Sequence, residues 1–322
     1  MKISISKEWL LKRAHLEEGL EIGAGCPGED HPEQPNIEWA RFPLKEMVKR
    51  NWFEGFSGPV SAALIDAEHL IKQFAERALS CPVVSLQRQR VRTGSNADPY
   101  ALLAWQCRVL ILAQSIHRNK TFRNVTLSDE WLKELVQLSR LRDGPLKARK
   151  HLHNAGIALV IEPHLTSTHL DGAALLSDQG PVIGLTLRFD RLDNFWFVLL
   201  HEIIHVKKHL RKGILEDIFD ESICAASGEI KKRTSEVTAN GLEAEADYLA
   251  GEALIPSQSW ETALARYVQT EAAVRSFADK MNISSAIVAG RIRKETGDYS
   301  KLSNLIGNGE VRKLFPDVRF PK

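Results

Sequence analysis

Two hydrophobic periods follow one another along this chain. From Pro43 to about Asn154 apolar residues recur at helical spacing. Val60–Leu79 carries Leu64, Ala67, Leu70, Ile71 and Phe74, and Tyr100–His117 is apolar on nearly every face, as the centre of a helical bundle requires. Pro43 is suited to open a helix through Arg50, Ser128 opens another with the capping signal SDEW, and Leu146–Asn154 stops just before Gly156, a residue fit to end a helix. From Ile157 the period shortens to that of strands, over Ile157–Ile161, Gly172–Leu176 and Val182–Leu187. Helical spacing returns at Phe195–Leu210, with Asp193 as the expected N-cap, and again from Leu242 to about Lys294.

These periods predict an α+β chain, mostly helical, with one small sheet. A polar, Gly/Pro-rich arm and linker occupies residues 1–36, with a short helix at Lys7–Glu18. A helical domain spans 37–154, a second domain with the sheet spans 155–294, and short helices fill a tail at 295–322. Residues 211–240 are polar and read as an irregular flap over a cleft.

The candidate chemistry lies on the two later helices. Within FWFVLLHEIIHVKKHL, His201 and His205 are four apart and share one helix face, so both imidazoles can reach one metal ion. Glu202 lies beside them as a general base. This is the HExxH arrangement of zinc metallopeptidases. Downstream, LEAEADYLAGEALIP ends at Pro256, and Glu243 and Asp247 share a face there. One can bind metal while the other orients a ligand histidine. Glu245 points roughly the other way, since two residues turn a helix by about 200°. Glu243 is the favoured third ligand for its pairing with Asp247, with Glu245 as the alternative. Tyr248, His169 and His209 are the candidate donors to an oxyanion. Tyr248 reads more readily as a buried aromatic, and His209 as a solvent-facing residue one turn past His205.

Composition narrows the setting. A length of 322 residues with 43% hydrophobic residues is enough for a sizeable core and suggests two domains. A net charge of +2 gives no argument for nucleic acid or membrane, and the basic clusters Arg88–Arg92 and Lys147–Lys150 read as solvated faces. Cys26, Cys81, Cys107 and Cys224 show no paired spacing, which points to a reducing cytoplasm. The N-terminus is charged too early for a signal peptide, and the apolar run before HEIIH is too short to span a membrane. Val182–Leu187 is the candidate edge strand for holding a substrate by β-augmentation, and a plain core strand explains it equally well. Cys224, in the expected flap, reads first as an ordinary buried thiol, with a thiolate blocking the metal's open position as the alternative.

The motifs FWFVLLHEIIHV, EAEADYLAGEALIP and LDGAALLSDQGPVIGLTLR resemble the ImmA/IrrE family of zincin-like metallopeptidases. The likeness extends more weakly to RFPLKEMVKRNWF and IVAGRIRKETGDYSKLSNLI, so that it covers roughly residues 40 to 305. The resemblance implies a zincin-like metallopeptidase domain preceded by a helical domain. It also implies Zn2+ held by His201, His205 and Glu243, with Glu202 as the base. Many relatives have Gly where this chain has Ile204, a position that need not touch metal. Fused relatives carry an N-terminal helix-turn-helix that has no match here. The expected partner is therefore a separate helix-turn-helix repressor or antitoxin, serving as substrate or inhibitor in stress response, phage defence or a toxin–antitoxin pair. The chain itself is then a possible toxic component. The competing reading is a docking module that binds such a regulator without cutting it.

Overall fold

The structure is a computed structural model that describes residues 39–78, 98–166, 168–210 and 228–321, and of residues 228–240 the backbone alone. The arm at 1–36, the cluster Arg88–Arg92, and Cys224 lie outside the described residues.

Among the described residues four α-helices come first: α1 (Leu44–Lys49), α2 (Val60–Ile65), α3 (Ala67–Ala78) and α4 (Pro99–Gln114). The expected single helix over Val60–Leu79 is broken between α2 and α3 at Asp66, where the backbone leaves the helical region (φ −105°, ψ 26°). Its two parts therefore bury different stripes, and Leu64 and Ile65 face solvent while Leu70, Ile71 and Phe74 are buried. The α4 helix begins on Asp98, whose carboxylate accepts a bond from the Tyr100 amide at 3.1 Å.

The sheet has the order β1–β3–β2, from β1 (Ala158–Ile161), β2 (Gly172–Ser177) and β3 (Gly180–Leu185). The β1 and β3 strands run parallel, and β2 pairs antiparallel with β3 through a tight hairpin. Alternation along the strands gives the sheet two apolar faces. Ala158, Val160, Ala173, Leu175 and Val182 meet α1–α4, whereas Leu159, Ile161, Ala174, Ile183 and Leu185 meet the later helices. Gly184 lets α4 come close, because a Cβ there would sit 2.7 Å from the Trp105 ring. The expected edge strand Val182–Leu187 is thus corrected: β3 is the central strand, bonded on both sides, and has no free edge to offer a peptide.

On the second face lie α5 (Asp129–Gln137), α6 (Gly144–Asn154), α7 (Leu192–Ile204) and α8 (Gly228–Leu254). The remaining helices are α9 (Ser257–Glu261), α10 (Leu264–Val268), α11 (Glu271–Met281) and α12 (Ser285–Thr296). The Ser128 hydroxyl caps α5 by accepting from the Trp131 amide at 3.2 Å, as the SDEW signal predicts. The α8 helix starts at Gly228, which corrects the irregular reading of 211–240 over its second half. Glu229, Lys231, Lys232 and Arg233 are good helix formers, a local preference that favours this start. The tail holds only one short 3-10 helix, Arg312–Leu314, among its described residues.

That tail fixes the entry to α7. Asp190 accepts bonds from the amides of Val311 and Arg312, both at 2.9 Å, and Arg312 donates to the carbonyls of Leu187 and Arg188. Asp193 is not the N-cap. The chain enters α7 through extended Arg191, and Asp193 lies inside the first turn, where it takes a bidentate bond from the Arg191 guanidinium at 3.0 and 3.1 Å. Burial holds its carboxyl above the usual range despite that partner.

Candidate metal centre

The α7 helix is apolar and buried around most of its circumference, with Phe195, Trp196, Leu199, Leu200 and Ile203 at or near zero exposure. A polar group placed on such a helix is desolvated by its position alone, so it must find partners. A π turn, His205–His209, continues the axis, so that His201, His205 and His209 form one stripe with all three rings buried. The α8 helix lies along this stripe.

The partners come from α8. His201 Nδ1 lies 2.9 Å from Asp247 Oδ1, and its Nε2 lies 3.2 Å from Glu243 Oε2. His205 Nε2 is 3.0 Å from His201 Nε2 and 3.3 Å from Glu243 Oε1. The donor atoms of His201, His205 and Glu243 all fall within 4.8 Å of one another. The spacing of Glu243 and Asp247 places both on the α8 face that meets α7, as expected. Glu245 does not join the cluster. It reaches instead to His209, whose Nε2 is 3.2 Å from Glu245 Oε2.

A cation suits this cluster better than a proton. A carboxylate only accepts hydrogen bonds, so Asp247 takes the N–H of His201 at Nδ1, and in the neutral ring the lone pair is left on Nε2. That lone pair, the facing nitrogen of His205 and the Glu243 carboxylate converge on one point. One proton can serve a single pair of these atoms, whereas one metal ion serves all three. The electrostatics agree. Burial alone would lower the His201 pKa, but its bonds to Asp247 and Glu243 and the charge of Glu202 outweigh burial and raise it to about 9. Burial alone would raise the Glu243 carboxyl, yet the two histidines bring it down to about 2. The site demands positive charge between these groups.

Glu202 is fully buried beside His201 and His205. Gly172, the first residue of β2, lies against it: a Cβ there would stand 3.0 Å from Glu202 Oε1 and 2.9 Å from Val198. The sheet therefore closes over the candidate base through a residue with no side chain.

Several sequence-level expectations fall elsewhere. His209 is buried at 4% exposure, not solvent-facing, because the π turn keeps it on the histidine stripe under α8. Tyr248 is 64% exposed, not an aromatic core residue, because α8 presents Asp247 inward and the next residue outward. His169 is exposed in a loop with φ of +47°. Among the described residues no bond joins Tyr248 or His169 to the cluster. Tyr248 lines a neighbouring cleft of about 550 Å³ with Phe197, Asp247, Gly251, Lys294 and Tyr299. The Lys294 ammonium stands 4.6 Å over the Phe197 ring and 3.7 Å from Asp247 Oδ2, tying the cleft to the His201 side of the cluster.

No helix among the described residues is long and apolar enough to cross a membrane. No curated protein matches the chain. Residues 155–293 match the family model Peptidase_M78, the IrrE N-terminal-like domain, a span that opens just before β1 and closes within α12. It contains the sheet, Glu202 and the whole His201/His205/Glu243 cluster. Over residues 155–293 this chain is therefore similar to the zincin-like metallopeptidase domain of the ImmA/IrrE family.

Proposed function

We infer that this protein is a zinc-dependent endopeptidase of narrow specificity, and that its substrate is a helix-turn-helix repressor or antitoxin in the cytoplasm. The observation that carries this reading is the buried HEIIH stripe meeting Glu243, with Glu202 desolvated beside it. A site with two imidazoles and one carboxylate has the ligand composition of catalytic zinc, which keeps a position open for water. When bound, zinc supplies Lewis acidity, polarising a peptide carbonyl and making water a nucleophile near neutral pH.

The chain's own residues do the rest. His201, His205 and Glu243 would hold the ion, and Asp247 would orient His201 through Nδ1. Glu202 takes a proton from the attacking water and delivers it to the leaving amine nitrogen. Its burial raises the strength of every charge interaction at that point. The resemblance of the flanking segments to regulator-fused relatives supports a regulator as substrate, in stress response, phage defence or a toxin–antitoxin pair where this chain is the toxic member.

The test has two parts. Purified protein is assayed for zinc per chain, and the protein is then mixed with a candidate helix-turn-helix regulator and the regulator is followed for fragments. About one zinc per chain and a discrete cut are expected, with the cut lost in Glu202→Gln. Binding of the regulator with no cut, unchanged by Glu202→Gln, would instead make the domain a docking module.

A further inference from the structure

The chemistry above uses His201, His205, Glu243, Glu202 and Asp247, and leaves a buried histidine unexplained. His209 stands on the π turn with its ring centroid 5.0 Å from that of His205. Its Nδ1 is 2.9 Å from His205 Nδ1, and its Nε2 is 3.2 Å from Glu245 Oε2. Glu245 is about half exposed, at 47% for the side chain. A line of groups thus runs from solvent to the metal cluster: carboxylate, imidazole, imidazole.

We propose that Glu245 and His209 are positioning residues that lock His205 in its metal-binding tautomer. The order of protons along the line follows from what each group can accept. A carboxylate has no proton to give, so the N–H of neutral His209 sits at Nε2 and points to Glu245. His209 Nδ1 is then bare and accepts, which places the His205 proton at Nδ1. His205 Nε2 is left with its lone pair, facing His201 and Glu243. Without an acceptor at position 245, the His209 proton can sit at Nδ1 and donate to His205. The His205 proton then moves to Nε2, in the position a metal would take, and a ring in that state is no ligand. The two ligand histidines are therefore set by different devices, His201 directly by Asp247 and His205 through His209 by Glu245.

This inference rests on the metal reading of the cluster, and the test separates the two. Zinc affinity is measured by competition with a chelator, using the full chain. Glu245→Ala, at a half-exposed position, is expected to weaken zinc by about 10- to 100-fold. Glu245→Gln keeps a carbonyl oxygen for the His209 N–H and is expected to hold most of the wild-type affinity. His209→Phe keeps the ring volume but removes the acceptor, and is expected to lose as much as Glu245→Ala. Because Glu245 acts only through His209, adding Glu245→Ala to His209→Phe should change nothing further. A general effect of negative charge would add in full and overturn the proposal. Thermal midpoints of the metal-free Glu245 variants should match wild type, which separates orientation from folding. Wild-type zinc affinity in both Glu245→Ala and His209→Phe would also overturn it. A wild-type chain that takes up no zinc would overturn the metal reading itself, and this inference with it.

Discussion

Asp247 Oδ1, on α8, stands 2.9 Å from His201 Nδ1, on α7. The bond lies on the far side of the imidazole from the cluster, so it fixes both the ring plane and the position of the ring proton. Asp247 also faces Lys294 at 3.7 Å, which partly offsets its charge. Removal of this acceptor in Asp247→Ala is expected to lower zinc affinity by about 10- to 100-fold. Asp247→Asn, which keeps an acceptor oxygen, should lose less. Chelator competition on the two variants reads the difference, and equal affinities for wild type and Asp247→Ala would remove Asp247 from the site.

Glu202→Gln is expected to keep about one zinc per chain while hydrolysis falls by about 10²- to 10⁴-fold, the range for loss of a general acid–base group. The amide is nearly the same size as the carboxylate, so the fold of this fully buried position should survive. Metal content and cleavage rate measured on one preparation check both halves of the expectation.

Gly172→Ala tests the closeness of the sheet to the candidate base. The added methyl would meet Val198 at 2.9 Å, a distance at which something must shift, and would crowd both Glu202 Oε1 and Leu185 at 3.0 Å. Overpacking of this kind costs about 1–3 kcal/mol. Denaturant unfolding should show that loss, together with reduced activity from a displaced Glu202. A variant as stable and active as wild type would mean that β2 has room to retreat.

Acid should destabilise the protein through two histidines remote from the cluster. Burial lowers the His151 pKa, in a ring stacked on Trp131 at 4.6 Å, and burial together with Arg149 and Arg118 lowers that of His153. Both folded-state values lie below the ordinary 6.5. The stability that neutral rings contribute is therefore complete above pH 6.5 and is lost as pH falls through the lowered folded values. Unfolding free energies compared between about pH 7 and about pH 5 should fall less steeply in His151→Gln than in the parent chain. Parallel curves would show that His151 charges as easily in the folded protein as in the unfolded chain.

What could be read from the chain alone was set by local geometry. A helix turns by a constant angle per residue, so His201 and His205, or Glu243 and Asp247, had to share a face wherever those helices went. Ser128 caps α5 and Gly156 takes a positive φ of +83° for the same kind of local reason. The position of each face relative to distant segments was not written in any one segment. β3 became the central strand because β1 pairs with it from one side and β2 from the other, a choice made by burial of both sheet faces. His209 and Tyr248 exchanged their expected environments because α8 lies over the histidine stripe at one particular rotation. That rotation also sends Glu243 to His201 and His205, and Glu245 to His209. Spacing nominated the chemical groups, and the contact between α7 and α8 decided which atoms meet, since rotation of one helix against another is settled only by the side chains that pack between them.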